Sequence, residues 1–382
     1  MTARGLSLAA FVLAAAVASA ADEPKPAASP KPAETPKPAE SSSVKVGTTI
    51  FTDFTYQEAP RVLDADKNLV HKTEFEVRRA YINVVGTFSD LFVVRVTPDV
   101  ATRLSTSAAG LPADARVGTS FDGSLVLRLK YAYGQVNLDR AGPWAKGGWV
   151  RLGQQPTPYF DAIEGIYRYR FQGTTFVERT GLLSSSDVGL TAHANVPAGY
   201  GDLHLGFYNG ETYTKPEANS QKAFQARASV RPLPRHSFLK GARLHAFYDH
   251  DSPVAGGQRE RFVATFTFEH RRANLGFDYL SGEDRVSGLA SAATLESRGY
   301  SVWLTPRTSF GLEGLLRYDY FEPNRATGGA KRETIAGVAY WIPVRKAPLT
   351  AALLLDYDGI AYDSALARPD EKRWELKALL TF

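Results

Sequence analysis

From Val44 to Phe382 the chain repeats one local pattern: stretches of about ten residues in which every second side chain is apolar or aromatic, each followed by a turn signal. A period of two places successive side chains on opposite faces of an extended strand. The pattern therefore prescribes strands with one apolar and one polar face. GSLVLRLKYAYG sets Leu125, Leu127, Leu129, Tyr131 and Tyr133 against Arg128, Lys130 and Ala132. RFVATFTFEH sets Phe262, Ala264, Phe266 and Phe268 against Val263, Thr265, Thr267 and Glu269, and LTAALLLDYD sets Leu349, Ala351, Leu353, Leu355 and Tyr357 against Thr350, Ala352, Leu354, Asp356 and Asp358. Aromatics tend to close the apolar face at segment ends, while charges sit in the middle of the other face.

A water-soluble sandwich and a membrane barrel both alternate in this way, and composition helps to separate them. The 382 residues include no cysteine, so no disulfide framework or thiolate metal site stiffens so many strands in an exported chain. There are 18 Tyr, 21 Phe and 32 Gly, a bias toward strands and turns, and beyond the first twenty residues no apolar run long enough to span a bilayer as a helix. With 45 basic and 40 acidic residues the formal charge of +5 is weakly basic, so a nucleic-acid partner is not implied. Strands are expected near 44–57, 73–85, 90–99, 124–138, 148–154, 187–196, 202–210, 222–231, 241–250, 260–270, 273–281, 297–305, 311–321, 333–342, 348–358 and 373–382. The expected fold is all-β: a transmembrane antiparallel β-barrel of about 16 strands, an even number as bacterial single-chain barrels have.

Ahead of the barrel, MTARGLSLAAFVLAAAVASA has one early cation, Arg4, an apolar core and Ala18-Ser19-Ala20 as a small-residue cleavage site. Residues 1–20 read as a secretory signal peptide. Residues 21–43 carry Lys-Pro-Ala at Lys25, Lys31 and Lys37, a semi-rigid extended spacer that is either a tether or a contact for an anionic cell-wall polymer. The barrel domain is 44–382. Connections at 86–90, 197–202 and 270–274 are short, while those near 100–123, 155–186 and 282–296 are long, the asymmetry of periplasmic turns and external loops.

The last ten residues, RWELKALLTF, put Trp374, Leu376, Ala378, Leu380 and Phe382 on one face and Arg373, Glu375, Lys377 and Thr381 on the other. An open sheet edge is excluded in hydrocarbon, so this segment is expected to pair with the first strand and close the barrel. A terminal Phe after alternating apolar residues also resembles the signature read by outer-membrane barrel-assembly machinery.

FEVRRAYINVVGTFSD (75–90), VRLGQQPTPYFD (150–161), FVERTGLLSSSDVGL (176–190), LGFYNGETY (205–213) and LLRYDYFEP (315–323) resemble, in order and spacing, the phosphate-selective porin O and P family. That resemblance implies a sixteen-stranded trimeric outer-membrane porin, an inward-folded third external loop, and basic residues that guide anions. One departure stands out. Where the family has Arg followed by an acidic residue, an apolar residue and Gly, this chain has Ser186-Asp187-Val188-Gly189, which weakens the case for phosphate specificity.

The connection at 155–186 is the expected constriction, carrying Arg168, Arg170 and Arg179 beside Asp161, Glu164 and Glu178. A loop folded into the pore brings both signs close to permeating solute; equally, Glu178 and Arg179 serve to brace the loop on the wall. By alternation Arg95, Arg128, Lys130, Arg151, Arg227, Arg231, Arg243, Arg317 and Lys377 project inward, as do Glu269, Glu313, Asp319, Asp356 and Glu375, so many of the cations are open to pairing.

Other chemistry finds little support. His71, His193, His204, His236, His245, His250 and His270 are scattered and no G-x-S-x-G stretch occurs, so a barrel hydrolase lacks its signature. His245 and His250 with Asp249 and Asp251 form a conceivable metal cluster, more commonly a hydrated loop tip. The sequence reading is thus a non-enzymatic porin with outer-membrane lipid and small anions as partners, mildly anion-selective, without cofactor; the alternatives are a plugged structural barrel and a surface hydrolase.

Overall fold

The computed structural model describes residues 42–102, 125–215, 217, 219–285, 293–344 and 348–382. The leader at 1–20, nearly all of the spacer and most of the connection near 100–123 lie outside the described residues.

Among the described residues, a closed antiparallel barrel is formed by sixteen strands: β1 (Ser43–Ala59), β4 (Thr73–Thr87), β5 (Phe92–Thr102), β6 (Leu125–Asn137), β7 (Trp149–Pro156), β8 (Ser186–Val196), β9 (Gly201–Tyr208), β10 (Ala223–Val230), β11 (Ala242–Asp251), β12 (Gln258–His270), β13 (Ala273–Arg285), β14 (Leu295–Pro306), β15 (Leu312–Glu322), β16 (Lys331–Ile342), β17 (Thr350–Tyr362) and β18 (Glu371–Thr381). A two-stranded ribbon, β2 (Val62–Leu63) with β3 (Leu69–Val70), caps the connection from β1 to β4. Every expected segment coincides with one barrel strand, with ends shifted by a few residues. Among the described residues no helix is long and apolar enough to cross a membrane.

Burial is inverted relative to a water-soluble protein. Leu127, Leu355 and Leu376 are 69%, 57% and 49% exposed, while Lys130, Arg227, Arg317, Asp356 and Lys377 are buried. Alternation explains both facts: one face of each strand carries leucine and aromatic rings outward, and the other crowds charges together. Soluble monomers rarely expose a contiguous apolar surface running around the whole molecule.

Among the described residues the ladder register shifts at three places, one of them between Gln57 and Ala59 at the end of β1, and the other two re-aim charged and aromatic side chains. In β6 the register against β5 slips between Thr97 and Pro98, so that Thr97 faces Tyr131 and Pro98 faces Leu129, leaving Lys130 as the extra residue. A bulge sets two residues against one and re-aims the side chains beyond it. Tyr131 and Tyr133 are thereby turned onto the polar face, where Arg95 lies 4.6 Å over the Tyr131 ring and Arg151 lies 4.9 Å over that of Tyr133. Their expected grouping with Leu125, Leu127 and Leu129 is corrected on this ground. In β4 the register against β1 passes from Arg79 to Val77, and Arg78 is the extra residue. Both arginines then occupy the polar face, Arg78 bonded to Asp53 at 2.6 Å and Arg79 to Asp99 at 2.9 Å.

β18 closes the barrel against β1 from Thr49 opposite Thr381 to Ala59 opposite Lys372. The terminal Phe382 continues the ladder: its N–H donates to the Thr48 carbonyl at 3.0 Å and its carbonyl accepts from Thr48 N–H at 2.7 Å. Removing Glu371–Phe382 leaves β1 and β17 as unpaired edges, and edges invite aggregation. A chain ending at Asp370 is expected to yield no folded barrel in detergent, read as loss of the heat-modifiable band in gel electrophoresis.

Candidate functional site

Between β7 and β8 the chain leaves the barrel wall at 157–185 and packs on the polar faces of other strands. Its first turn is set by Pro158 at the helix start, where a missing N–H costs nothing, and helix α1 (Pro158–Tyr167) buries Tyr159, Phe160, Ile163, Ile166 and Tyr167. That spacing draws one apolar stripe along a helix. The helix ends at Arg168, whose left-handed φ of +63° turns the chain. A short helix α2 (Phe176–Arg179) comes next, with Phe176 and Val177 buried.

Polar bonds fix this segment to strands far apart around the barrel. Arg227 of β10 donates to the Pro158 carbonyl at 2.8 Å, Tyr159 Oη donates to Asp278 of β13 at 2.8 Å, and Asn274 donates to the Ile166 carbonyl at 2.9 Å. Arg317 of β15 donates to Tyr167 Oη at 3.1 Å and the Thr174 carbonyl at 2.8 Å while its fork holds Asp319. Tyr169 Oη reaches Glu313 at 3.1 Å, and Gln172 donates to Asp356 of β17 at 3.1 Å. Edge-on rings complete the packing, Tyr167 on Trp303 and Tyr169 on Trp341.

The six charged residues expected at a constriction all lie on this segment, and each is paired. Arg168 meets Glu313 at 3.3 Å and lies over the Trp341 ring. Arg170 is held within the segment between Glu164 at 3.0 Å and Glu178 at 3.1 Å. Arg179 is bound to Glu333 of β16 and lies 3.6 Å from Asp358 of β17, the bracing arrangement for that residue. Asp161 lies 3.4 Å from Arg151.

The wall cations divide by pairing. Arg227 contacts Asp202, Arg243 lies 3.1 Å from Glu269, Arg317 2.6 Å from Asp319 and Lys377 3.0 Å from Glu375. Among the described residues Arg95 bonds neutral Thr97 and Asn83, and Lys130 stands 3.5 Å from Tyr81 Oη. Arg231 falls just beyond β10. Arg128 and Arg79, the latter out of reach of simple alternation, share one carboxylate oxygen, Asp99 Oδ2, each at 2.9 Å. Two guanidinium groups on one buried carboxylate leave positive charge uncompensated and donors open.

This excess faces a cavity of about 880 Å³ whose lining includes Arg78, Arg79, Arg128, Arg170, Arg179 and Lys377, in all eight basic and five acidic residues. A second cavity of about 500 Å³ has the opposite balance, six acidic and three basic. Glu178 lines the second and its neighbour Arg179 the first, so α2 separates two regions of opposite sign. Ser186, where the resembled family has a basic residue, is fully buried and donates to the Lys130 carbonyl at 2.7 Å.

Burial alone would raise the Glu178 carboxyl, but the charges of Arg170 and Lys130 and a hydrogen bond from Ser185 outweigh it and hold it below the usual range. A depressed folded pKa makes this stabilisation fully present above the ordinary glutamate value and lost as pH falls through the folded one. The contact of Glu178 with Arg170 and Ser185 is therefore expected to hold from neutral pH down to about 4.3 and to weaken below it. Protease cleavage within the segment, monitored against pH, checks this.

A sixteen-stranded closed barrel with an apolar outer belt and a long segment packed on its polar face is the architecture of porins. No known family's sequence profile matches the chain, and no curated protein matches it in sequence. Solved structures do. OmpT of Vibrio cholerae is 13% identical with a TM-score of 0.58, over 89% of this chain and 98% of that one. An anion-selective porin from Comamonas acidovorans is 10% identical with a TM-score of 0.57, over 90% and 100%. The outer membrane channel DcaP of Acinetobacter baumannii is 13% identical with a TM-score of 0.55, over 91% and 99%. At such identities the likeness establishes the fold.

Proposed function

We propose that this protein is an outer-membrane porin through which small hydrophilic solutes diffuse passively, with a mild preference for anions. The observation that carries the reading is the inverted burial, with leucine and aromatic rings exposed around the belt and charges gathered on the other face of the same strands. Lipid solvates the first and water the second, and a β-sheet satisfies its backbone in lipid only when it closes into a barrel.

The segment 157–185 is the inward-folded loop of this porin. One stretch of chain that bonds side chains of β10, β13, β15, β16 and β17 reaches them together from the enclosed side. Its mechanism is electrostatic filtering without a covalent step: anions pass along Arg79 and Arg128, which line the larger cavity and share a single carboxylate. Because Arg168 and Arg179 are tied to wall carboxylates, they set the width of the waist, and the selectivity falls to the wall arginines. Arginine forks suit phosphate oxygens, which keeps phosphate among the permeants, while the serine at position 186 argues for weak discrimination.

The apolar belt sits in outer-membrane lipid, the strand ending at Phe382 is presented to barrel-assembly machinery, and three copies assemble, as the trimer form of OmpT from Vibrio cholerae does. Residues 1–20 direct export and 21–43 form a periplasmic spacer. Swelling of liposomes that carry the purified barrel tests the function. Rates that fall smoothly with sugar size fit diffusion through a filled waist; liposomes that fail to swell point to a plugged structural barrel.

A further inference from the structure

We propose that the smaller cavity is a binding site for a small organic cation whose charged group carries several N–H donors, such as a primary ammonium or a guanidinium. This goes beyond the anion path and rests on the porin reading only in needing solute to reach the cavity.

Its charges are not equally free. Asp284 is taken by Arg261, whose Nη2 donates to both carboxylate oxygens at 2.7 and 2.6 Å, and Asp251 by Arg259 at 2.9 Å. Asp187 accepts two backbone N–H groups, from Val188 at 2.7 Å and Gly210 at 2.8 Å, and faces no cation within ion-pair distance among the described residues. Gly210 takes φ +94°, and a Cβ there would stand 2.9 Å from Asp251 Oδ1, so Asp187 and Asp251 flank one glycine that has to stay small.

A neutral side chain, Gln225, adds an acceptor that the acidic residues do not supply, and it stands beside a further carboxylate oxygen without a donor. Asp249 stands opposite Gln225 in the β10–β11 register. Asp249 Oδ1 and Gln225 Oε1 have no hydrogen-bond partner, although the residues are only 2% and 6% exposed and both line the cavity. A buried acceptor without a donor is unfavourable, so the pair is built to receive N–H groups from something else. Among the described residues no three His, Asp or Glu side chains converge to hold a metal ion. Acceptors spread along one wall suit an extended cation with diverging donors, and about 500 Å³ holds a solute of basic amino-acid size.

Isothermal titration of the purified full-length barrel in detergent with L-arginine, and with L-citrulline as its uncharged counterpart, tests the site. Arginine is expected to bind in the millimolar range, with citrulline, and arginine on the Asp249→Asn variant, weaker by about tenfold or more. Gln225→Leu, which removes the second acceptor and keeps the charge, serves if Asp249→Asn folds poorly, and is expected to weaken arginine in the same direction. Arginine binding that is absent, matched by citrulline, or unchanged in a folded variant overturns the proposal. Binding by a barrel that conducts nothing leaves the site standing and removes the porin reading; a conducting barrel blind to arginine does the reverse.

Discussion

Arg317→Ala is expected to release the loop at 157–185 and to raise unitary conductance and its noise. Arg317 is almost fully buried and makes three kinds of contact at once: a fork to Asp319, a bond to Tyr167 Oη and a bond to the Thr174 carbonyl. Alanine leaves Asp319 buried with Ser301 as its remaining donor among the described residues, at 2.7 Å, and strips the middle of the loop, at Tyr167 and Thr174, of a shared anchor. Removing one partner of a buried pair costs about 3–5 kcal/mol, more than the several neutral bonds of the loop, at about 1 kcal/mol each, can readily restore. Arg317→Lys keeps the charge but not the fork and is expected to fall between. Unitary conductance and protease cleavage within 157–185 read the result; a quiet channel of unchanged size in the alanine variant would show that the loop is held by its aromatic packing alone.

The second large effect concerns selectivity. Arg79 and Arg128 share Asp99, so replacing all three by neutral isosteres, Arg79→Gln, Arg128→Gln and Asp99→Asn together, removes the site without stranding a buried charge. The excess of basic over acidic residues lining the larger cavity falls from three to one. Permeating ions respond to rings of charge at close range, and the reversal potential under a salt gradient is expected to move most of the way to zero. The same triple change would leave it in place if selectivity came from Arg168 and Arg179, the loop cations that already carry carboxylate partners.

Much of this was legible in the alternation itself. A period of two specifies which face a side chain takes, and the burial of Lys130, Arg227, Arg317 and Lys377 opposite exposed leucines follows from it. The strand ending in Phe382 closes the barrel because an apolar-faced edge has no other partner. One bulge escaped, the extra residue at Lys130 that moves Tyr131 and Tyr133 to the other face; at Arg78 and Arg79, where the sequence leaves both registers open, an extra residue brings two consecutive arginines to the same side. The doublet Arg78-Arg79 was the available signal, since strict alternation would have sent one of the two cations into the apolar belt. Pairing escaped as well. Strand register decides that Arg179 finds Glu333 and Asp358, more than 150 residues later in the chain, and that Arg79 and Arg128 meet at Asp99.

A water-filled, cation-lined path inside the barrel is what a porin of this kind requires above all. Recording single channels of the purified protein in a planar bilayer under a KCl gradient is the direct measurement. Stepwise conductance with a reversal potential of anion sign is the expected result. A folded, inserted barrel that gives no steps, or steps with a reversal potential of cation sign, would contradict it.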